Sequence, residues 1–220
     1  MKRLIVAIDG PSGVGKGTIA RTISQHLGYR HVDTGAMYRA VAWKALRDGM
    51  DLEDEAQVAA LAARADINVE GGVVSIDGHD VTSLIRTPEM DKAASAVARL
   101  PSVRAVLVAR QRELGEQGGV VMEGRDIGTV VFPGADLKIY LDASAEERAR
   151  RRATDPAHTG AQAGHAAVAA AIEARDQSDK KRTASPLTLA PDAVLIDTTE
   201  MPIAAVVQRV MDLVERKSQA

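Results

Sequence analysis

Short apolar runs alternate with helical periodicity along most of this chain. Residues 3–8, roughly 30–32, Val120-Val121-Met122, Leu137-Lys138-Ile139-Tyr140-Leu141 and Ala193-Val194-Leu195-Ile196 read as buried strands. Between them, helical patterns lie over 17–27, 36–48, 55–65, 89–99, 102–115, 144–153, 165–182 and 202–216. Ser144-Ala145-Glu146-Glu147 is a capping box, with Ser at the N-cap and Glu at N3. Apolar strands alternating with helices predict an α/β domain, a doubly wound parallel sheet with helices on both faces. Two stretches break the rhythm. Ile67-Asn68-Val69 alternates, Glu70-Gly71-Gly72 turns, and Val73-Val74-Ser75-Ile76 runs to the hairpin signal Asp77-Gly78. Residues 66–86 are therefore expected to form a small antiparallel insert within a single domain whose core is 1–65 and 87–220. The patternless polar segment 154–165 is expected to be a loop suited to a lid, placed at about 150–165.

Between the first strand and the first helix stands Gly10-Pro11-Ser12-Gly13-Val14-Gly15-Lys16-Gly17-Thr18. Glycines let backbone N–H groups converge on phosphate oxygens, and the helix that follows points its positive end at the same anion. Lys16 is placed to reach the β- and γ-phosphates as a point charge. The spacing is that of the P-loop, with Gly10, Ser12, Gly13, Gly15, Lys16, Gly17 and Thr18 as its nucleotide-binding residues. One position departs from it: the usual magnesium-binding hydroxyl after the lysine is replaced by Gly17, with Thr18 one place later. That loop resembles the G-K-G-T loop of nucleoside monophosphate kinases, which implies a metal held mostly by phosphates and water, with no metal-ligating side chain assigned.

Composition narrows the partners. With 220 residues and 45% hydrophobic content, the chain can bury one substantial core. It has no cysteine, no stretch approaching a membrane span, and an N-terminus that runs straight into a strand. A cytoplasmic protein without a membrane partner is expected. A net charge of −2 and only five aromatic residues argue against nucleic acid as a partner. Arginine outnumbers lysine 20 to 8, and an arginine- and alanine-rich composition accounts for the total, so position must decide the use of each.

Three further clusters qualify on position. Asp33-Thr34-Gly35-Ala36-Met37-Tyr38-Arg39 follows the second strand and reads either as a second anion site or as a capped helix with a surface arginine. Glu123-Gly124-Arg125-Asp126 follows the third strand, at the sheet edge that carries ligands in doubly wound folds. Arg175, Asp179 and Arg182 share one helical face, an arrangement that usually serves surface salt bridges and can also serve as a phosphate and sugar clamp. Among Arg148, Arg150, Arg151 and Arg152 the residues alone do not say which turns inward.

In order along the chain, G-P-S-G-V-G-K-G-T, D-T-G-A-M-Y-R, L-I-R-T-P-E…A-A-S, E-G-R-D-I-G-T-V-V-F-P and R-D-Q-S-D-K-K-R closely resemble the motifs of bacterial cytidylate kinases, from about residue 4 to the end. The resemblance implies a five-stranded parallel sheet, a substrate-binding insert and a short lid. It assigns Thr34, Arg39, Arg125 and Arg182 to the acceptor phosphate, Ser95, Arg104 and Asp126 to cytosine, and Arg175 and Asp179 to the sugar hydroxyls. Glu123 stands where some relatives carry aspartate at a metal-related position. The expected reaction is transfer from ATP, with Mg²⁺, to CMP and dCMP, with Lys16, Arg125, Asp126 and Arg182 at its centre and the protein acting as a monomer. A phosphate acceptor with a second pKa of about 6 is mostly dianionic at pH 7, so no general base is needed. The rival readings are a kinase for another small acceptor and a nucleotide sensor without catalysis. A second set of arginines speaks against the sensor, which needs only one nucleotide site.

Overall fold

The computed structural model of the protein describes residues 3–155 and 164–219. The chain runs through β1 (Ile5–Asp9), α1 (Lys16–Leu27), β2 (Arg30–Asp33), α2 (Thr34–Arg47) and α3 (Glu55–Arg64). Three two-residue strands follow, β3 (Ile67–Asn68), β4 (Ser75–Ile76) and β5 (His79–Asp80), then α4 (Pro88–Val97) and α5 (Pro101–Gly115). The second half comprises β6 (Val120–Gly124), β7 (Leu137–Asp142), α6 (Ala145–Ala153), α7 (His165–Lys181), β8 (Val194–Asp197) and α8 (Ile203–Gln219).

Five strands form one parallel sheet in the order β2-β6-β1-β7-β8. Its centre reads as continuous apolar sequence because each face is covered. In β1, Val6 and Ile8 enter the cluster under α1 and α8, while Ala7 between them enters the cluster under α2 and α5. Val121 and its neighbours Val120 and Met122 divide the same way in β6. Fully burying an aliphatic side chain such as Ile8 or Ile139 contributes about 1.5–3 kcal/mol, so this alternation carries much of the fold. Since β1 is central, the loop after it opens between the carboxyl ends of β6 and β7. That edge is where doubly wound sheets hold ligands.

The small strands form a separate antiparallel sheet in the order β3-β4-β5. Asp77 and Gly78 both have positive φ, 49° and 76°, as a two-residue hairpin of this hand requires. The third strand carries no apolar pattern because His79 and Asp80 are exposed. Val74, Ile76, Val81 and Ile85 nevertheless join the same cluster as Met37 and Val41 of α2.

Several expectations change in detail. The capping box at 144–147 is half made: Glu147 N–H donates to Ser144 Oγ at 3.2 Å, but Ser144 N–H donates to Thr199 Oγ1. The Glu147 carboxylate accepts from Arg150 and Arg151 instead. α7 stops at Lys181, and Arg182 has extended backbone, ψ 141°, so Arg182 does not continue the helical face. A π-helical turn over Ile127–Val131, with Val131 N–H to Asp126 O and Phe132 N–H to Ile127 O, had no sequence signal. The loop expected over 154–165 falls mostly on residues 156–163, which lie outside the described residues. Among the described residues, no helix is long and apolar enough to cross a membrane.

Candidate active site

A cleft of about 710 Å³ opens at the carboxyl edge of the sheet. Its wall includes Ser12, Gly13, Gly15, Lys16, Gly17 and Thr18 on one side. Thr34, Arg39, Ser95, Arg104, Arg125, Asp126, Arg175, Asp179 and Arg182 also line it. Gly10 is the exception among the candidate residues. It packs under the loop, where a Cβ would come within 2.2 Å of Leu141 O, so its small size serves the fit of the loop against β7 and not the cleft wall.

Gly15 caps α1 with φ 92°, a conformation that favours glycine, and turns the loop into the helix N-terminus. Lys16 is buried, and its Nζ donates to Gly10 O at 2.8 Å and Pro11 O at 2.7 Å. Burial, and then the neighbouring Arg125, lower the Lys16 pKa well below the usual lysine range. Gly17 solves a packing problem: a Cβ there would lie 3.2 Å from Glu123 Oε1. Glu123 therefore fills space beside the loop that a side chain at position 17 would contest. Its carboxylate also meets His31 Nε2 at 3.0 Å.

Strand β6 delivers the opposite wall. Asp33 caps α2 by accepting from Ala36 N–H at 3.0 Å, and Thr34 Oγ1 donates to Glu123 O at 2.8 Å, which ties α2 to the end of β6. Asp9, at the end of β1, accepts from Ile127 N–H and Gly128 N–H, both at 2.8 Å, and so fixes the turn after Asp126. Burial pushes the Asp9 carboxyl up to about 6 in spite of these bonds. Arg125 Nε donates to Asp179 Oδ2 at 2.8 Å, and Arg104 Nη2 to Asp126 Oδ2 at 2.5 Å. Arg182 brings Nη2 to 3.6 Å from Asp126 Oδ1 and Nη1 to 3.7 Å from Asp179 Oδ1. Burial works against an ionised Asp179, but Arg125, Arg175 and Arg182 outweigh it and hold the carboxyl below the usual range.

Four buried polar atoms of this wall have no hydrogen-bond partner among the described residues: Ser95 Oγ, Arg104 Nε, Arg175 Nε and Arg182 Nη2. Unpaired buried donors are costly and uncommon, and four gathered in the residues of one cleft point to a polar ligand. The Arg104 guanidinium also stacks 5.4 Å above the Tyr38 ring, which fixes its plane.

The arginine run resolves by contact. Arg148 turns in to Ala143 O, Ser12 O and Asp176. Arg151 donates to Val14 O and to Thr198, and Arg152 to Ser12 Oγ at 3.1 Å. Arg150 stays largely exposed on Glu147. Sequence reading missed Asp9, Asp91 and Asp176, whose carboxylates hold backbone amides and arginines of the site; a lone acid has no spacing signal. It also missed the apolar cleft edge Met201-Pro202-Ile203, where Ile203 is 59% exposed.

The family model described as cytidylate kinase matches residues 6–216. A curated protein named cytidylate kinase from Solibacter usitatus is 48% identical over 222 residues, covering 98% of this chain and 94% of that one. Another so named, from Bacillus subtilis, is 45% identical over 222 residues, covering 99% of both. Among solved structures, a shikimate kinase from Acinetobacter baumannii has a TM-score of 0.52 at 15% identity, covering 97% of this chain and 94% of that one. A gluconokinase from Sinorhizobium meliloti has a TM-score of 0.54 at 13% identity, covering 98% and 93%. At such identities these two share the fold alone.

Proposed function

The chain belongs to the cytidylate kinase family and is a phosphotransferase of that type, and we propose that it transfers the γ-phosphoryl group of ATP to CMP and dCMP. The observation that carries the acceptor is the group Ser95, Arg104 and Asp126. It offers a hydroxyl, an unpaired guanidinium N–H and a carboxylate in the same cleft that Lys16, Arg39, Arg125 and Arg182 line. Cytosine presents an amino donor at N4 and acceptors at N3 and O2. Asp126 accepts from N4, while Arg104 and Ser95 answer the acceptor edge.

Thr34, Arg39, Arg125 and Arg182 take the acceptor phosphate, and Arg175 and Asp179 the sugar hydroxyls. The P-loop amides and Lys16 take the β- and γ-phosphates. On this reading Lys16 exchanges its two loop carbonyls for phosphate oxygens when nucleotide arrives. The edge formed by Met201, Pro202 and Ile203 beside Arg151 suits the flat apolar faces of the donor base. An oxygen of the acceptor phosphate then forms a bond to the γ-phosphorus as the bond to the ADP oxygen breaks. The acceptor is already anionic, so no proton has to be removed first. Alignment and charge neutralisation by Lys16, Arg125 and Arg182 supply the rate enhancement.

The residues fit a magnesium ion held mainly by the nucleotide. Glu123 brings one carboxylate beside the loop at Gly17, and among the described residues no cluster of three or more His, Cys, Asp or Glu could hold a metal ion alone. Mg²⁺ is commonly bound by one or two carboxylates with phosphate oxygens and water. When bound, it would neutralise charge on the β- and γ-oxygens. The test is an ADP-release assay with ATP, Mg²⁺ and a panel of nucleoside monophosphates. CMP and dCMP should drive release; release that needs no acceptor, or a preference for AMP, would refute the assignment.

A further inference from the structure

Asp91 lies on α4 one turn before Ser95, behind the cleft wall and not on it. Its Oδ1 accepts from Arg39 Nε at 3.2 Å, Arg39 Nη2 at 2.8 Å and Arg175 Nη1 at 2.8 Å. Its Oδ2 lies 3.9 Å from Arg152 Nη2. One carboxylate thus gathers guanidinium groups from α2, α6 and α7, three elements that meet nowhere in sequence. All three arginines line the cleft. We propose that Asp91 is a positioning residue for the acceptor: it holds the inner edges of Arg39 and Arg175 so that their remaining N–H groups face the phosphate and sugar. This rests on the reading of the cleft as a CMP site.

The charges favour this over a role as a mere neutraliser. Arg39 and Arg175 are both half-buried, their side chains 11% and 16% exposed, and Arg39 repels the charge of Arg175. Burial, followed by the charge of Arg39, lowers the Arg175 pKa to about 10, and Asp91 opposes that shift. Arg39, though burial disfavours its charge, is held above its ordinary pKa chiefly by Asp91 and Asp33. Without the shared carboxylate, two half-buried cations would face each other across the position it occupied, and separation would be their relief. Arg175 Nε, already unpaired, would lose its fixed direction. Arg152 keeps Ser12 Oγ as a second anchor, so the donor side depends less on Asp91.

Two outcomes separate the mechanisms. If Asp91 only cancels positive charge, its removal strengthens attraction for a dianionic acceptor and CMP binds more tightly. If it positions the arginines, CMP binds more weakly even though the site has become more positive. Asp91→Asn, which keeps the shape, and Asp91→Ala should both raise the KM for CMP, and the calorimetric Kd for CMP without ATP, by roughly 10- to 100-fold. The KM for ATP should change less than threefold, and Asp91→Glu should recover part of the CMP affinity. Melting temperature identifies any variant that fails to fold, and Asp91→Asn then decides the matter. A working wild type whose variants bind CMP equally well or better, or lose ATP and CMP affinity together, overturns the role of Asp91 alone. A wild type that neither binds nor phosphorylates CMP overturns the reading of the cleft and this inference with it.

Discussion

Arg104 and Asp126 bond to each other, Nη2 to Oδ2 at 2.5 Å, and both side chains are less than a tenth exposed. Among the described residues, the pair leaves Arg104 Nε without a hydrogen-bond partner, and Asp126 Oδ1 has Arg182 Nη2 at a distant 3.6 Å. A base that offers an acceptor beside a donor can therefore join the pair without breaking it. Uracil replaces the N4 amino donor with a carbonyl and the N3 acceptor with N–H. Asp126 would then face an oxygen.

CMP should accordingly exceed UMP in kcat/KM, by a factor on the order of 10⁴ if the buried groups are left fully unpaired. Asp126→Ala should lower kcat/KM for CMP and narrow the CMP-to-UMP ratio at least tenfold. The measurement is kcat/KM for both nucleotides in wild type and variant. Equal wild-type values would remove these residues from base recognition.

Lys16→Met should reduce turnover by ~10²–10³, as removal of a single electrostatic contact to a transition state commonly does. The fold should survive, because the substitution also removes a buried ammonium whose desolvation is unfavourable. Single-turnover rates and thermal melts check both halves; near-normal turnover in a well-folded variant would contradict the loop's role.

Arg182→Ala should raise the KM for CMP by roughly 10- to 100-fold, matching about 1.5–3 kcal/mol for a charge-assisted contact. Asp126 keeps Arg104 and Asp179 keeps Arg125, so neither carboxylate is left bare. An increase confined to the KM for ATP would show that Arg182 serves the donor.

Asp9 gives stability a distinctive pH dependence. Burial raises its pKa from 3.8 to about 6, so the native state holds this proton more tightly than the unfolded chain. The contribution is full below about pH 4 and is lost as pH rises through about 6. A rise of about two units corresponds to about 2–3 kcal/mol. The wild-type advantage over Asp9→Asn in unfolding free energy should fall by that order between pH 4 and 7. A difference independent of pH across that window would refute the shift.

Sequence reading located the sheet strands and helices well because both faces of the sheet are covered and its strands are continuous apolar runs. Most motif residues share one cleft because three of the five motifs lie at the carboxyl ends of β1, β2 and β6, and the parallel sheet brings those ends together, while α4 and α7 carry the other two. What escaped was geometry without period. The π-helical turn after Asp126 depends on Asp9 holding Ile127 and Gly128, residues far from it in sequence. Arg182 reaches the cleft from beyond the end of α7, so helical spacing describes it poorly. Asp91 and Asp176 act as counter-ions across elements, and nothing local distinguishes them from surface acids.

The small sheet interrupts the α/β order along the chain, but it cannot be detached from the rest. Val74, Ile76, Val81 and Ile85 share one hydrophobic cluster with Met37 and Val41 of α2 and Val97 of α4. Those helices carry Arg39 and Ser95 to the cleft. Splicing residue 65 directly to residue 87 would uncover the back of the helices that carry residues into the cleft. A cavity opened at Ile76, which does not line the cleft, would loosen the footing of both residues at once. For anyone shortening or recombining this chain, the insert is part of the foundation, and the seam for a cut has to be sought elsewhere.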